Sequence, residues 1–426
     1  MNRIFWNLVS ITCLLVQALQ LSAQEPVTIE QCYQWAEANY PLSQQRSLIE
    51  QSRNYSISNI AKGIYPQFVV SGQATYQSAV TKIELPVTIP GYEPPNISRD
   101  QYRLAGEVSQ SLTDFPLNKI QRQLKSNEAA IQEQNITVEL YKLHERINQL
   151  FFGALLIDEQ QKQSDLLKKD IQRGIEQVQA AIENGTAFRS NLDKLKAELL
   201  KVQQRDIEMQ AAKKAYLSML GLFTGKDMSE TTTLVKPQPP FILTDSIRRP
   251  EMTIYELQKK SSLLQQKLIA AKNYPRLNVF FQGGMGRPSP VNMLSEKLTP
   301  FYITGIRLNW SLGGMYTFRK EKLLTANDRK SIDVMQHTFL FNTKLSMSQQ
   351  YSDMQKYEDL IRTDDEIIAL RESVKKTSFV QLENGVINTN DYLKEVNEED
   401  QARQNKILHD LQLLMIQYAQ KTTSGN

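Results

Sequence analysis

The sequence predicts a mainly α chain with a β-barrel portion, written as a duplicated repeat of long antiparallel coiled-coil helices and four membrane-type strands. Three observations predict it: proline-free stretches with heptad periodicity, two pairs of period-two segments, and matching landmarks 200 residues apart. Composition agrees with extended helix, since 426 residues hold only 17 Gly and 16 Pro, with 8% aromatic residues. A formal charge of +4, from 50 Lys and Arg against 46 Asp and Glu along the chain, gives no sign of nucleic-acid binding.

The first residues read as a secretory leader: Arg3, an apolar run from Ile4 to Val16, then Leu21-Ser22-Ala23, with cleavage expected after Ala23. The alternative is an uncleaved anchor, but the run falls short of the roughly 20 apolar residues that span a bilayer. Cys13 lies inside that run, a poor place for a lipoprotein cysteine. The mature chain keeps only Cys32, so it makes no internal disulfide. No later segment has about 18 consecutive apolar residues, so a helical span is excluded in the mature chain and any membrane contact must be made through strands.

The duplication appears in Glu183-Asn184-Gly185 and Glu383-Asn384-Gly385, and in Val108 to Leu112 against Leu308 to Leu312, at one separation. Tyr65-Pro66 and Tyr274-Pro275 match at a larger separation, which puts about nine extra residues in the first half, near the Pro-rich Leu85 to Asn96 loop. Both halves open on a Thr-x-x-Gln/Glu pattern, at Thr28 and at Thr253, the form of a helix-capping box. The expected organisation is a leader over 1–23, a first repeat over 24–220, a Thr- and Pro-rich linker over 221–250 and a second repeat over 251–426.

From Pro116 to about Glu183 one helix of roughly 68 residues is possible, near 100 Å at about 1.5 Å per residue. Leu117, Leu124, Ile131 and Val138 recur every seven residues, and so do Ile136, Leu143, Leu150 and Ile157 on another stripe. Two seams require a neighbour on each side, as in a sheet or tube of helices. Beyond Gly185 the heptad resumes at Leu195, Val202, Met209 and Tyr216, so the chain reverses. An opening helix from about Thr28 to Lys62 would stack on this return to match the long helix. The second half repeats the plan with helices from about Thr253 to Asn273, Tyr316 to Glu383 and Thr389 to Gln420. A soluble coiled-coil scaffold is the alternative that the helices alone leave open.

Period two appears at about 66–80, 101–112, 275–286 and 300–312. Phe68, Val70, Ala74 and Tyr76 alternate with Gln67, Ser71, Gln73 and Thr75, and Tyr302, Ile306, Leu308 and Trp310 alternate with Arg307, Asn309 and Ser311. A sheet in lipid must close because unpaired backbone groups are costly there, and four strands are half the smallest common barrel. Several chains must then share one barrel. Soluble hairpins packed on the helices are the other possibility, with no evident apolar core to face them.

Catalytic chemistry has little to stand on. His144, His337 and His409 have no metal-ligand spacing, and Gly283-Gly284-Met285-Gly286 is followed by no Lys-Ser/Thr, which makes a hairpin between strands the better reading than a phosphate loop. No cofactor, metal or enzymatic activity is expected.

In order along the chain, Val27 to Gln31, Tyr65-Pro66, Leu220-Gly221-Leu222, Arg249-Pro250-Glu251, Tyr274-Pro275 and Trp310 to Gly314 resemble the TolC-like outer-membrane efflux family, the outer membrane factors. The resemblance covers nearly the whole mature chain. It implies a homotrimer in the bacterial outer membrane, with a shared twelve-stranded barrel in lipid and a periplasmic α-barrel tube. It also implies a periplasmic adaptor protein and an inner-membrane pump as partners in efflux or type I secretion. The adaptor-contact tips then correspond to Gly185, Thr186 and Ala187 and to Gly385, Val386 and Ile387. A helix reversal needing positive φ explains the two glycines equally well. The resemblance places one acidic constriction position at Asp391, three copies of which would form a negative ring. The matching later acidic position holds Lys394, a departure from the family pattern that would instead pair with Asp391 and blunt it. A solvated surface charge is the other reading of Asp391.

Overall fold

The computed structural model describes residues 26–81, 86, 91, 97–240 and 246–426. The expected leader at 1–23 lies outside the described residues, as do the Pro-rich segment at 85–96, apart from residues 86 and 91, and residues 241–245 of the linker. The element order is α1 (Ile29–Asn39), a 3-10 turn (Pro41–Gln44), α2 (Gln45–Lys62), β1 (Gln67–Tyr76), β2 (Asp100–Ser111), α3 (Phe115–Glu183) and α4 (Arg189–Thr224). It continues with α5 (Glu251–Lys272), β3 (Arg276–Arg287), β4 (Thr299–Asn309), α6 (Gly314–Glu383) and α7 (Thr389–Ser424). The 69 residues of α3 and the 70 of α6 fulfil the two long-helix expectations.

Local chemistry accounts for the boundaries, and it corrects three expectations. Thr28 does cap α1: its hydroxyl accepts from the Gln31 amide at 3.3 Å, while Gln31 Oε1 accepts from the Thr28 amide at 2.9 Å. The opening helix is not continuous to Lys62, because Tyr40 takes an extended backbone (φ −61°, ψ 129°). Pro41 forces this by clashing with a helical preceding residue. Thr253 is no cap, since α5 already starts at Glu251, directly after Pro250. Gly283 to Gly286 do not form the hairpin turn either, for β3 runs on to Arg287. A Cβ on Gly284 would lie 2.1 Å from the Leu104 carbonyl oxygen, so glycine permits a close strand approach there.

The chain divides into two compact units. One comprises Gln45–Asn135 and Met252–Gln336 and holds the whole sheet, ordered β1-β2-β3-β4 with every pair antiparallel. The register aligns Phe68, Val108, Phe281 and Thr304 in one row, and Val70, Gly106, Gly283 and Tyr302 in the next row of the same face. That face carries large apolar side chains in the open, with Phe68 69%, Val70 63%, Tyr302 71% and Ile306 68% exposed. On the opposite face Arg307 donates to Glu107 at 3.2 Å, Arg103 donates to Gln282 at 2.9 Å, and Gln282 donates weakly to Glu107 at 3.5 Å. Phe280 and Phe301 also lie on this polar face, but the guanidinium groups of Arg307 and Arg103 cover their rings at 4.4 and 5.5 Å. Below the sheet, Asn127 donates to the Leu257 carbonyl and Ser262 to the Thr325 carbonyl, both at 2.8 Å, tying α3 to α5 and α5 to α6.

The second unit comprises residues 26–44, Ile136–Glu251 and His337–Asn426. The heptad positions predicted for the return helix are its seam: Leu195, Val202 and Met209 are buried, and so are Ile136, Val138 and Leu143 of α3. Leu167, Ile171, Ile175 and Val178 of α3 join Leu195 and Val202 of α4 and Tyr392, Leu393 and Val396 of α7 in one apolar cluster. Cys32 is a buried free thiol of α1, and burial pushes its pKa up to about 12. No described helix is long and apolar enough to cross a membrane.

Candidate functional site

The two helix reversals of the second unit are built alike. Gly185 and Gly385 adopt φ of +74° and +69°, a left-handed conformation that glycine takes without a Cβ penalty. The Gly185 amide donates to the Ile182 carbonyl at 2.9 Å and the Thr186 amide to Ala181 at 2.8 Å. Gly385 and Val386 repeat the pattern onto Leu382 at 3.1 Å and Gln381 at 2.8 Å. Each long helix therefore ends in a Schellman motif that satisfies its last carbonyls.

After the reversals the hairpins differ. Asn388 caps α7, its side-chain oxygen accepting from the amides of Asn390 at 2.9 Å and Asp391 at 3.1 Å. Phe188, at the same place before α4, makes no capping bond and is 80% exposed. Ala187 and Ile387 pack against the apolar cluster, while Thr186 and Val386 point outward. A groove between the two reversals is lined by Thr186, Phe188, Val386, Asn388 and Asp391. All six expected tip residues thus sit at the hairpin ends, and Asp391 is brought beside them. Asp391 is exposed in the first turn of α7, where the helix dipole favours a carboxylate. Lys394 is exposed outside the groove, and no ion pair joins it to Asp391.

The sequence reading missed a charge cluster just behind these ends. Lys375 of α6 reaches Asp170 of α3 at 2.8 Å and Glu399 of α7 at 3.2 Å. Glu399 also pairs with Arg403, which reaches Glu372 at 3.1 Å. Only the i,i+4 spacing of Glu399 and Arg403 was visible in the sequence. Tyr392 closes the cluster from the apolar side: its hydroxyl donates to the Asp170 carbonyl at 3.2 Å, and burial raises its phenol pKa well above the usual tyrosine range. The site offers hydrogen-bonding and charged surface, with no nucleophile and base in contact. His144 bonds to Glu37 at 2.9 Å, His409 to Asp364 at 2.6 Å, and His337 is exposed. Among the described residues no three His, Cys, Asp or Glu side chains gather as a metal site.

An open four-stranded antiparallel sheet, interleaved along the chain with two helices of about 70 residues that each reverse into a shorter partner, is the fold of the TolC-like outer-membrane channels. Among solved structures, the outer membrane protein VceC from Vibrio cholerae superposes with a TM-score of 0.66 at 11% identity, over 93% of this chain and 96% of that one. The outer-membrane channel OprN gives 0.65 at 12% identity over 93% and 89%. The open state of the Neisseria gonorrhoeae MtrE outer membrane channel gives 0.65 at 10% over 93% and 89%. No protein-family model and no curated protein matches the sequence.

Proposed function

We propose that this chain is one subunit of a homotrimeric outer-membrane channel, a passive duct that exports solutes within a tripartite efflux or type I secretion assembly and catalyses no reaction. The observation that carries this reading is the sheet: its apolar face is exposed, and β1 and β4 are open edges. An apolar face of this extent is costly in water and suits lipid, whereas open strand edges are not tolerated in lipid, so an isolated subunit fits neither medium. Because the four strands alternate in direction, β4 of one copy meets β1 of the next antiparallel, and three copies close twelve strands. The polar face with Arg103, Glu107, Gln282 and Arg307 then lines the lumen. In this reading the two repeats over 24–220 and 251–426, joined by the 221–250 linker, each supply two strands and one long helix, and the helices extend into the periplasm.

The hairpin ends are the surface for a periplasmic adaptor protein, through Gly185, Thr186, Ala187, Gly385, Val386 and Ile387, and the adaptor connects the duct to an inner-membrane pump. Three copies of Asp391 form a negative constriction, tempered by Lys394 nearby on the same helix. The test of the assembly is an outer-membrane fraction run unheated on a denaturing gel, where trimers are expected that collapse to single chains on boiling. Recovery of the protein in the salt-soluble periplasmic fraction as a single chain would instead favour a coiled-coil scaffold. For the constriction, Asp391→Ala should lower cation preference and block by divalent cations in planar-bilayer recordings, and an unchanged reversal potential removes Asp391 from that role.

A further inference from the structure

Charge is unevenly placed around the ends of the sheet. The four junctions between helix and strand, residues 60–66, 112–123, 267–276 and 310–322, contain nine Lys and Arg and two Asp and Glu, whereas the whole chain is only +4. The sheet order puts the four junctions side by side at one end of the strands, within one unit. Lys62 and Lys272 close α2 and α5, where a cation suits the negative end of the helix dipole. Lys119 and Arg122 of α3 and Arg319, Lys320 and Lys322 of α6 do the opposite. They follow helix N-termini whose first turns carry no acidic residue, so like-signed side chains and dipoles add. These five are exposed, and none has an ion-pair partner among the described residues. Helix stability alone would not select this arrangement.

Two further observations say what it faces. Tyr65, Tyr274, Trp310 and Tyr316 are exposed by 61, 62, 51 and 87% at the same junctions, a ring of amphipathic aromatics of the kind that sits at a membrane–water boundary. Between α2 and α3 a groove is lined by Ile57, Lys119, Arg122, Gln123 and Ser126, an apolar wall beside two cations. We infer that this basic collar binds the anionic headgroups of phospholipids in the periplasmic leaflet of the outer membrane. The inference rests on the outer-membrane reading above. The aromatics fix the depth, and the cations just below them meet phosphate oxygens whose negative charge the two helix N-termini also favour.

The test uses the full-length protein and a variant carrying Lys119→Gln, Arg122→Gln, Arg319→Gln, Lys320→Gln and Lys322→Gln, all at exposed positions. Each is incubated in neutral detergent with equimolar phosphatidylglycerol and phosphatidylethanolamine, and the retained lipid is counted by native mass spectrometry. The natural sequence should retain phosphatidylglycerol at least about five-fold over phosphatidylethanolamine, with the variant near parity. Millimolar inorganic phosphate should not displace the lipid. Equal retention of both lipids, a preference that survives in the variant, or full displacement by phosphate would each overturn the assignment. So would variant-sensitive capture of an acidic polypeptide without lipid preference, which would give the surface to a protein. Flotation with neutral phosphatidylcholine vesicles separates the two readings. A protein that floats but shows no anionic preference loses only the collar, and one that never floats loses the membrane reading with it.

Discussion

Val70→Arg should abolish heat-resistant trimers and reduce the outer-membrane pool several-fold, whereas Val69→Arg, one residue earlier in the same strand, should leave both near the natural level. The two valines are similarly exposed, 56% for Val69 and 63% for Val70, so burial within the chain does not separate them. What separates them is the face. Val70 stands in the row of Gly106, Gly283 and Tyr302, on the apolar side proposed to meet lipid, where an arginine near the bilayer midplane costs about 2–4 kcal/mol per copy. Val69 stands directly opposite Glu107 on the polar side, where an arginine gains a cross-strand carboxylate. Unheated gels and fractionation of the two variants decide the matter. Equal behaviour would show that the face has no lipid contact, and the barrel would go with it.

The strand faces were legible in advance because side-chain direction in a strand has period two, and Phe68, Val70 and Tyr76 announce it without any partner strand. The pairing order was not legible. That β2 lies beside β3, so that Glu107 opposite Gln282 comes within reach of Arg307, depends on contacts about 200 residues apart in the chain. Phe280 and Phe301 blurred the alternation, since an aromatic ring on the polar face looks like an error until the arginines above it are seen. The long helices and their reversals were legible for a similar local reason, the heptad and the glycine that a Schellman turn requires. Pro41 encodes the break at Tyr40, and Pro250 sets the helix start at Glu251, ahead of Thr253. At the hairpin ends the sequence supplied the positions of Asp391 and the two glycines but gave no hint of Phe188 as an exposed ring, nor of Lys375 reaching two other helices, because ion pairs between helices leave no spacing rule along the chain.

That tertiary ion cluster gives the second large effect. Lys375→Met should destabilise the packed helix ends by roughly 3 kcal/mol, because it leaves Glu399, only 3% exposed, with Arg403 as its remaining cation and Asp170 with none from α6. Lys201→Met, which breaks a 3.0 Å pair with Glu198 on an exposed turn, should stay within about 0.5 kcal/mol. The sign of the coupling can be checked by adding Glu399→Gln to Lys375→Met: neutralising the stranded carboxylate should recover much of the loss, read as the helical melting temperature by circular dichroism. A simple packing defect at Lys375 would show no such recovery. Glu399 lies two turns beyond Asp391 on α7, about 12 Å along the helix axis. If the duct opens by drawing hairpin ends apart, Lys375→Met also weakens a bond among three helices that must move, and its planar-bilayer conductance should exceed that of the natural sequence at equal protein content. Lower stability with unchanged conductance would assign the cluster to folding alone.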